Sequence, residues 1–362
     1  MEILEIITQF GVGGAERFCL DLSNELSEEN NVTICVFHPI KENFHYYDEI
    51  SPNVKVVCMN KGMGFDFLLS FRIMKLIIQS RPDVVHTHLS AIIYIFLSAI
   101  LFRKNKFFHT VHNAAKEETE GKIGAFVRKF LFKFGFVKPI SISKDSEKSF
   151  ETFYGFKATM IYNGRNIPRQ INVEQEVKDF FYGLRKNPGT RIIVQLAHVG
   201  QQKRQIVMAK AIDRLNKEGY KLVVLMIGKL ADLAMVNEIE SLQNPNIILT
   251  GTKSNPLSYL RESDGFGLSS SYEGLPISLI EALGVGSVPI CTPVGGIKDL
   301  IEDGVNGFLA KDISEEEYYL ALKRFADISE ERLKEMSKKA KESYVPFSMT
   351  DCAKKYLREF NK

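Results

Sequence analysis

Short, largely apolar segments alternate with stretches of helical length along nearly the whole chain, and this alternation constrains the fold more than any other feature. In the first half the apolar segments lie at residues 3–8, 33–37, 54–59, 84–86, 107–111, 138–142 and 159–161. In the second they lie at 192–196, 222–227, 247–249, 266–268 and 288–291. Apolar runs this short, without polar alternation, suit strands covered on both faces. The stretches between them, for instance 15–26, 67–79, 90–102 and 125–134, then serve as crossover helices. The outcome is an α/β fold with parallel, doubly wound sheets. The pattern restarts after Asn163-Gly164-Arg165-Asn166-Ile167-Pro168, a cluster of turn formers. Two domains are therefore predicted, 1–165 and 166–345, followed by a helix over 346–362. A chain of 362 residues is long for one core and agrees with that division.

Composition removes several function classes. The net charge of +3 is too weak for a nucleic-acid partner. Five cysteines, scattered and without a C-x-x-C pair, read as reduced thiols rather than a disulfide scaffold or zinc site. No basic segment followed by an apolar one stands at the start, so no signal peptide is expected. The longest apolar run, residues 89–102, is shorter than the roughly 20 residues that span a bilayer. A cytoplasmic protein is expected.

The stretch 269–296 carries the densest chemistry, SSSYEGLPISLIEALGVGSVPICTPVGG. A strand ends at Leu268, three serines turn the chain, and Pro276 suits the first position of a helix because it lacks an N–H. Residues 277–285 are apolar nearly all round and should be buried. Glu281 lies inside that helix, where a carboxylate costs several kcal/mol unless something hydrogen-bonds it. A core Glu paired to an Arg or to backbone amides is one reading. A second carboxylate, Glu273, stands eight residues earlier, and the free N–H groups of the helix's first turn face the loop between them. Such a helix start binds phosphate, so two acceptors for sugar hydroxyls flank a diphosphate site. In outline this is a nucleotide-sugar site.

The spacing Glu273-x7-Glu281, with its glycines, Pro-Ile strand and Gly-Gly turn, resembles the E-x7-E signature of retaining GT-B glycosyltransferases, most closely glycosyltransferase family 4 (group 1). The resemblance covers nearly the whole chain. It implies two Rossmann-like domains facing a central cleft, the first holding the acceptor and the second the nucleotide sugar, with the last helix crossing back to the first domain. It also implies these roles: Glu281 to ribose hydroxyls, Glu273 to the donor sugar, and backbone groups of Gly274, Leu275, Ile277 and Ser278 to phosphate or sugar. Transfer would be retaining and front-face, the diphosphate itself taking the acceptor's proton.

Gly11-Val12-Gly13-Gly14-Ala15-Glu16-Arg17 fails as a dinucleotide fingerprint, since its last position is Arg or Glu and no acid ends the second strand, where Val36-Phe37-His38-Pro39 stands. A plain tight turn is one reading. The stretch also resembles the family's G-G-A-E-R loop, in which Gly13 and Gly14 let backbone approach donor phosphate and acceptor. His86-Thr87-His88 would place two rings on one face of a strand, but no third ligand stands at a recognisable spacing, so a strand end is preferred to a metal site. His112 and Asn113 follow the strand 107–111 and should point into the crevice beyond the strand ends. His112 matches the family's histidine that touches the donor sugar, from the wall opposite Glu273.

In the loop after residues 192–196 the family places an Arg and, five residues later, a Lys for the diphosphate. Lys203 matches the Lys; His198 stands at the Arg position and lacks a fixed charge, which passes part of the role to Arg204. Gly228-Lys229 and Gly251-Thr252-Lys253-Ser254 would take the nucleobase through backbone groups, leaving uridine and guanosine open. No D-x-D occurs, so no metal and no cofactor beyond the UDP- or GDP-linked sugar is expected. Residues 121–138 hold five basic residues and five Phe without an acid. This is either a core helix with a basic outer face or a peripheral contact with an anionic membrane at the inner face of the cell membrane. The expected function is sugar transfer to a glycan or lipid-linked acceptor in cell-surface polysaccharide biosynthesis. A catalytically silent partner subunit and a GT-B epimerase or phosphorylase are the alternatives.

Overall fold

The protein is described by a computed structural model over residues 1–11, 13–38, 47–62, 64–119, 121–168, 170–185 and 187–362. Val12 of the glycine loop and Pro39 lie outside the described residues. The chain divides into two compact units, Met1–Asn166 with Phe347–Lys362, and Ile167–Pro346.

In the first unit the strands are β1 (Glu2–Ile7), β2 (Asn31–Val36), β3 (Val54–Cys58), β4 (Val84–His88), β5 (Lys106–Val111), β6 (Lys138–Ser141) and β7 (Thr159–Met160). They pair in parallel in the order β3-β2-β1-β4-β5-β6-β7. The crossover helices are α1 (Gly14–Leu26), α2 (Phe67–Ser80), α3 (Ala91–Tyr94), α4 (Phe96–Leu101), α5 (Gly121–Lys133) and α6 (Lys144–Tyr154). The single helix expected over 90–102 is two pieces, broken at Ile95, whose φ and ψ are −93° and 2°. Three β-branched residues, Ile92, Ile93 and Ile95, weaken helix continuation there. Strand order reverses between β1 and β4, so the loops beyond their carboxyl ends diverge and open a crevice. In register at that point are Glu5 opposite His86 and His88 opposite Thr110.

The second unit repeats the scheme with β8 (Arg191–Leu196), β9 (Leu222–Ile227), β10 (Ile247–Gly251), β11 (Gly265–Leu268), β12 (Val288–Cys291) and β13 (Phe308–Leu309), ordered β10-β9-β8-β11-β12-β13. β13 has no counterpart among the sequence-predicted strands. Its two residues are too few to show a pattern, and it exists through pairing of Ile290 with Phe308 and Cys291 with Leu309. The helices are α7 (Gln175–Leu184), α8 (Gln205–Lys217), α9 (Leu233–Glu240), α10 (Pro256–Glu262), α11 (Ile277–Val285), α12 (Ile297–Leu300), α13 (Glu315–Asp327) and α14 (Glu330–Tyr344). Met208, Ile212, Val224, Leu322 and Phe325 centre the core on the α8 and α13 side of the sheet. The reversal of strand order falls between β8 and β11, which places the loops 197–204 and 269–276 side by side.

The last helix, α15 (Met349–Asn361), belongs to the first unit. Its Ser348 side chain caps the Asp351 amide, and its apolar face enters the core. The Phe360 ring lies 4.8 Å from that of Phe108, tilted by 52°, and Tyr356 lies 5.8 Å from Phe18. Among the described residues no helix is long and apolar enough to cross a membrane.

Candidate active site

Helix α11 is buried on almost every side, as its composition requires. Its start differs from expectation by one residue. Pro276 is extended (ψ 123°) and caps the helix from outside, so Ile277 is the first helical residue. Pro276 still accepts the first helical bond, from the Leu279 amide at 3.1 Å. Glu281 falls in the second turn, 8% exposed. At the other end Gly286 adopts φ 83° and closes the helix.

The loop before α11 is held from three sides. Gly296 donates to the Gly274 carbonyl at 2.7 Å, and Gly295, at φ 54°, packs so closely that a Cβ would run into the carbonyl oxygen of Glu273. That contact explains the first glycine of the Gly-Gly pair. Thr292 Oγ1 donates to the Ser270 carbonyl at 2.7 Å, and Ser270 Oγ donates to Glu273 Oε1 at 2.6 Å. Lys203 Nζ donates to the same oxygen at 2.6 Å. Glu273 and Lys203 therefore form one buried pair, while Gly274 and Leu275 lead directly into the amides of Ile277 and Ser278. Those two amides stand at the first helical positions, which have no intrahelical acceptor.

Lys203 is placed by the loop after β8. Gln205, fully buried, donates to the His198 carbonyl at 2.9 Å and accepts from the Gly200 amide at 3.2 Å. Ser269 Oγ bonds the carbonyls of Lys203 and Arg204, tying this loop to the one carrying Glu273. His198 is exposed; partial desolvation and the neighbouring Lys203 charge lower its pKa. Arg204 caps α8 with φ 49°, and its Nη1 donates to the Ile313 carbonyl at 2.6 Å, so its guanidinium is drawn toward residue 313. The loops read as base-binding are joined by Gly228 N donating to the Gly251 carbonyl at 3.0 Å.

In the first unit Gly13 caps α1 and Gly14 begins it. A Cβ on Gly13 would strike Glu16 Oε2, so the carboxylate three residues on occupies the space that the glycine leaves. Burial raises the Glu16 pKa. Arg17 turns away, pairing with Asp21 and Glu49 at 2.6 Å each.

His112 and Asn113 sit just past β5, and one carboxylate fixes both. Glu118 Oε2 accepts from the His112 amide at 2.5 Å and the Asn113 amide at 3.1 Å. Its other oxygen lies 3.2 Å from both His109 Nε2 and Arg128 Nη1. Burial pushes Glu118 up, but His109 and Arg128 outweigh it and hold it down at about 2. Arg128 is 1% exposed and also donates to the Leu89 carbonyl at 2.9 Å. It is a core residue, which corrects its place in the basic face expected over 121–138.

Behind His112 lies a polar cluster. His88 Nδ1 is 2.9 Å from His112 Nε2, and His88 Nε2 is 2.8 Å from Glu5 Oε2. His86 Nδ1 stands 2.9 Å from the same oxygen, off the line of a hydrogen bond, and its Nε2 is 2.7 Å from Thr110 Oγ1. Thr110 continues to Tyr356 OH at 2.8 Å. Burial pushes Glu5 up, yet His86 and His88 hold it down at about 2. The third group that the His86–His88 pair lacks in sequence spacing is thus Glu5 in space. These three are also the described group whose ligand atoms could surround a metal ion, all within 4.8 Å of one another. Glu5 and Glu118 escaped the sequence reading, and Arg128 entered it only as part of a basic face. A lone Glu inside the apolar strand ILEII was the available signal, by the same buried-charge reasoning that picks out Glu281.

Two family models match the chain, "Glycosyltransferase Family 4" over residues 12–169 and "Glycosyl transferases group 1" over residues 177–343. Among curated relatives, the chain is 24% identical to the Campylobacter jejuni GalNAc-alpha-(1->4)-GalNAc-alpha-(1->3)-diNAcBac-PP-undecaprenol alpha-1,4-N-acetyl-D-galactosaminyltransferase, over 99% of this chain and 98% of that one. It is 25% identical to the Escherichia coli UDP-Gal:alpha-D-GlcNAc-diphosphoundecaprenol alpha-1,3-galactosyltransferase, covering 76% and 74%. Among solved structures, a Rickettsia africae glycosyltransferase superimposes with a TM-score of 0.83 at 18% identity, over 99% of this chain and 97% of that one. Anabaena HepE in complex with UDP-glucose does so with a TM-score of 0.83 at 16% identity, over 100% and 99%. With two parallel doubly wound sheets and models that together leave out little besides the chain ends, the protein belongs to the group 1, family 4 glycosyltransferases of the GT-B fold.

Proposed function

We propose that the chain moves a sugar from a nucleotide diphosphate to a lipid-linked glycan acceptor in cell-surface polysaccharide assembly, with retention and without a metal. The observation that carries this reading is the buried Lys203–Glu273 pair at the start of α11, with Glu281 one turn inside. A cation and free amides suit the two phosphates; a carboxylate on each side suits sugar and ribose hydroxyls. Lys203 supplies the fixed charge for the leaving diphosphate, and exposed His198 adds a neutral donor. Arg204, one of whose guanidinium N–H groups donates to the Ile313 carbonyl, is the second cation offered to the phosphates. His112 contributes from the first unit, which takes the acceptor. The work is positioning and electrostatic stabilisation, since diphosphate itself serves as the base.

Several relatives support the lipid-linked acceptor. The two transferases named above carry undecaprenol substrates in their names, and a Staphylococcus aureus relative, 25% identical over 78% of each chain, is a capsular polysaccharide biosynthesis glycosyltransferase. UDP is the first nucleotide to try, as HepE was solved with UDP and UDP-glucose.

The meeting place with such an acceptor is an anionic membrane at the cytoplasmic face. Helices α2 and α5 leave Phe67, Leu68, Ile123 and Phe126 exposed, at 59%, 68%, 81% and 69%, among the exposed Lys75, Lys122, Lys129 and Lys133. Aromatic and aliphatic groups interleaved with lysines suit an interfacial contact. The deciding experiment incubates the protein with UDP- and GDP-sugars, with and without an undecaprenyl-diphosphate glycan. Product that keeps the donor's anomeric configuration and forms only with acceptor supports the reading. An epimerised donor, or no turnover of any donor, refutes it.

A further inference from the structure

Glu5 on β1, His88 at the end of β4 and His112 beyond β5 form a chain of hydrogen bonds from the sheet's interior to a half-buried ring. The two links are 2.8 and 2.9 Å long. Phe18 packs edge-on against both rings, with centroids at 6.1 and 5.6 Å. The titratable groups facing His88 are Glu5, His86, His112 and Glu118.

Chemistry assigns each proton. An ionised carboxylate only accepts, so His88 Nε2 carries a hydrogen. Burial, reinforced by His86, lowers His88 to about 4 despite Glu5, which leaves a neutral ring with a lone pair on Nδ1. His112 Nε2 must then be the donor across the second link. Burial also holds the His112 pKa well below its ordinary value. A neutral His112 that donates from Nε2 has a bare Nδ1.

We infer that Glu5 and His88 are positioning residues that hold His112 in the Nε2–H tautomer, so that its Nδ1 can accept a hydrogen bond and cannot donate one. The group it meets is a hydroxyl or amide N–H of the sugar, and a carboxylate or phosphate oxygen is rejected. Glu118 adds the backbone half of the constraint through the His112 and Asn113 amides. This inference rests on the proposal that His112 meets the donor sugar, and its first test does not depend on that proposal.

The test is a long-range proton–nitrogen spectrum of the full chain labelled at its histidine ring nitrogens, at pH 7.5 without ligand, assigned with His112→Ala and His88→Ala. The expected result is an Nε2–H tautomer for both His88 and His112. A His112 that is Nδ1–H or doubly protonated overturns the inference. Glu5→Gln presents an amide that can donate as well as accept, which removes the ladder's direction, so an Nδ1–H population should appear at His112. An unchanged tautomer in folded Glu5→Gln also overturns it. Should Glu5→Gln not fold, the wild-type spectrum decides alone. One equivalent of tightly bound zinc in the purified protein, lost in Glu5→Gln, overturns it as well, because the imidazoles would then be ligands. In turnover of whichever UDP- or GDP-sugar the wild type accepts, Glu5→Gln should lower kcat by about tenfold or more and cost nothing further in a His112→Ala background. Equal losses in both backgrounds overturn the inference. The expected tautomer in a protein that turns over no nucleotide sugar supports the ladder and refutes the function proposed above.

Discussion

Lys203 Nζ and Glu273 Oε1 are 2.6 Å apart, so the cation suited to diphosphate is already bound to the carboxylate suited to the sugar. Both side chains are largely buried, and Ser270 satisfies the same carboxylate oxygen. A buried pair of this kind keeps either charge from standing alone. A nucleotide sugar would draw on both partners at once, the phosphates on Lys203 and a hydroxyl on Glu273.

This coupling separates the two acids. Glu273→Gln removes the competitor for Lys203, so affinity for free UDP or GDP should stay level or rise slightly, while transfer falls by about a hundredfold or more. Glu281→Gln weakens acceptance of the ribose hydroxyls, and nucleotide affinity should drop by roughly 1.5–3 kcal/mol. Calorimetry with the bare diphosphate, paired with initial rates, checks both. Equal weakening by the two changes would show the assignment to be wrong.

Transfer is expected to continue in EDTA. In the function proposed above Lys203 and the amides at the start of α11 would supply the diphosphate's partners, and the sequence holds no D-x-D. Initial rates before and after chelation, then with Mn²⁺ restored, settle the point. Activity lost to EDTA and regained with metal contradicts it.

The lysines and the arginine of α5 should behave oppositely. Changing Lys122, Lys129 and Lys133 to Gln should weaken co-sedimentation with anionic vesicles, most visibly at low salt, and leave the melting temperature nearly unchanged. Arg128→Gln should leave Glu118 without its cation and cost about 3–5 kcal/mol of stability. Equal binding to neutral and anionic vesicles would count against the membrane contact. An unaltered melt for Arg128→Gln would count against its buried role.

Acid should destabilise the first unit in two stages. Burial lowers His88 and His109 from 6.5 to about 4, so the unfolded chain binds more protons between those values. Stability therefore falls as pH drops from about 6.5 toward 4, each unit of depression being worth about 1.4 kcal/mol. Glu5 and Glu118 sit at about 2 instead of 4.5, and their contribution is lost below about 4.5. Melting curves across pH 7.5 to 3.5 should decline from the first of these thresholds. A flat midpoint between pH 6.5 and 4.5 would refute the neutral, buried imidazoles.

The features legible without coordinates are those whose cause is local. Largely apolar runs lie at twelve of the described strands, turn formers stand at 163–168 where the first unit gives way to the second, and the eight-residue spacing put Glu273 and Glu281 on either side of a helix start. Each depends on periodicity or spacing within a few turns of chain. Tertiary structure decided what lies behind His112 and where Arg128 points. Glu5 reaches His88 across 83 residues because β1 and β4 are neighbours in the sheet, an order that no local pattern encodes. Arg128 looked like one more cation on a basic face, and became a core residue because Glu118, His109 and the Leu89 carbonyl converge on its side of α5. Lys203 joins Glu273 across 70 residues for the same reason, since β8 and β11 lie side by side. The chain determined which charges had to be buried, and strand order determined which partner each of them met.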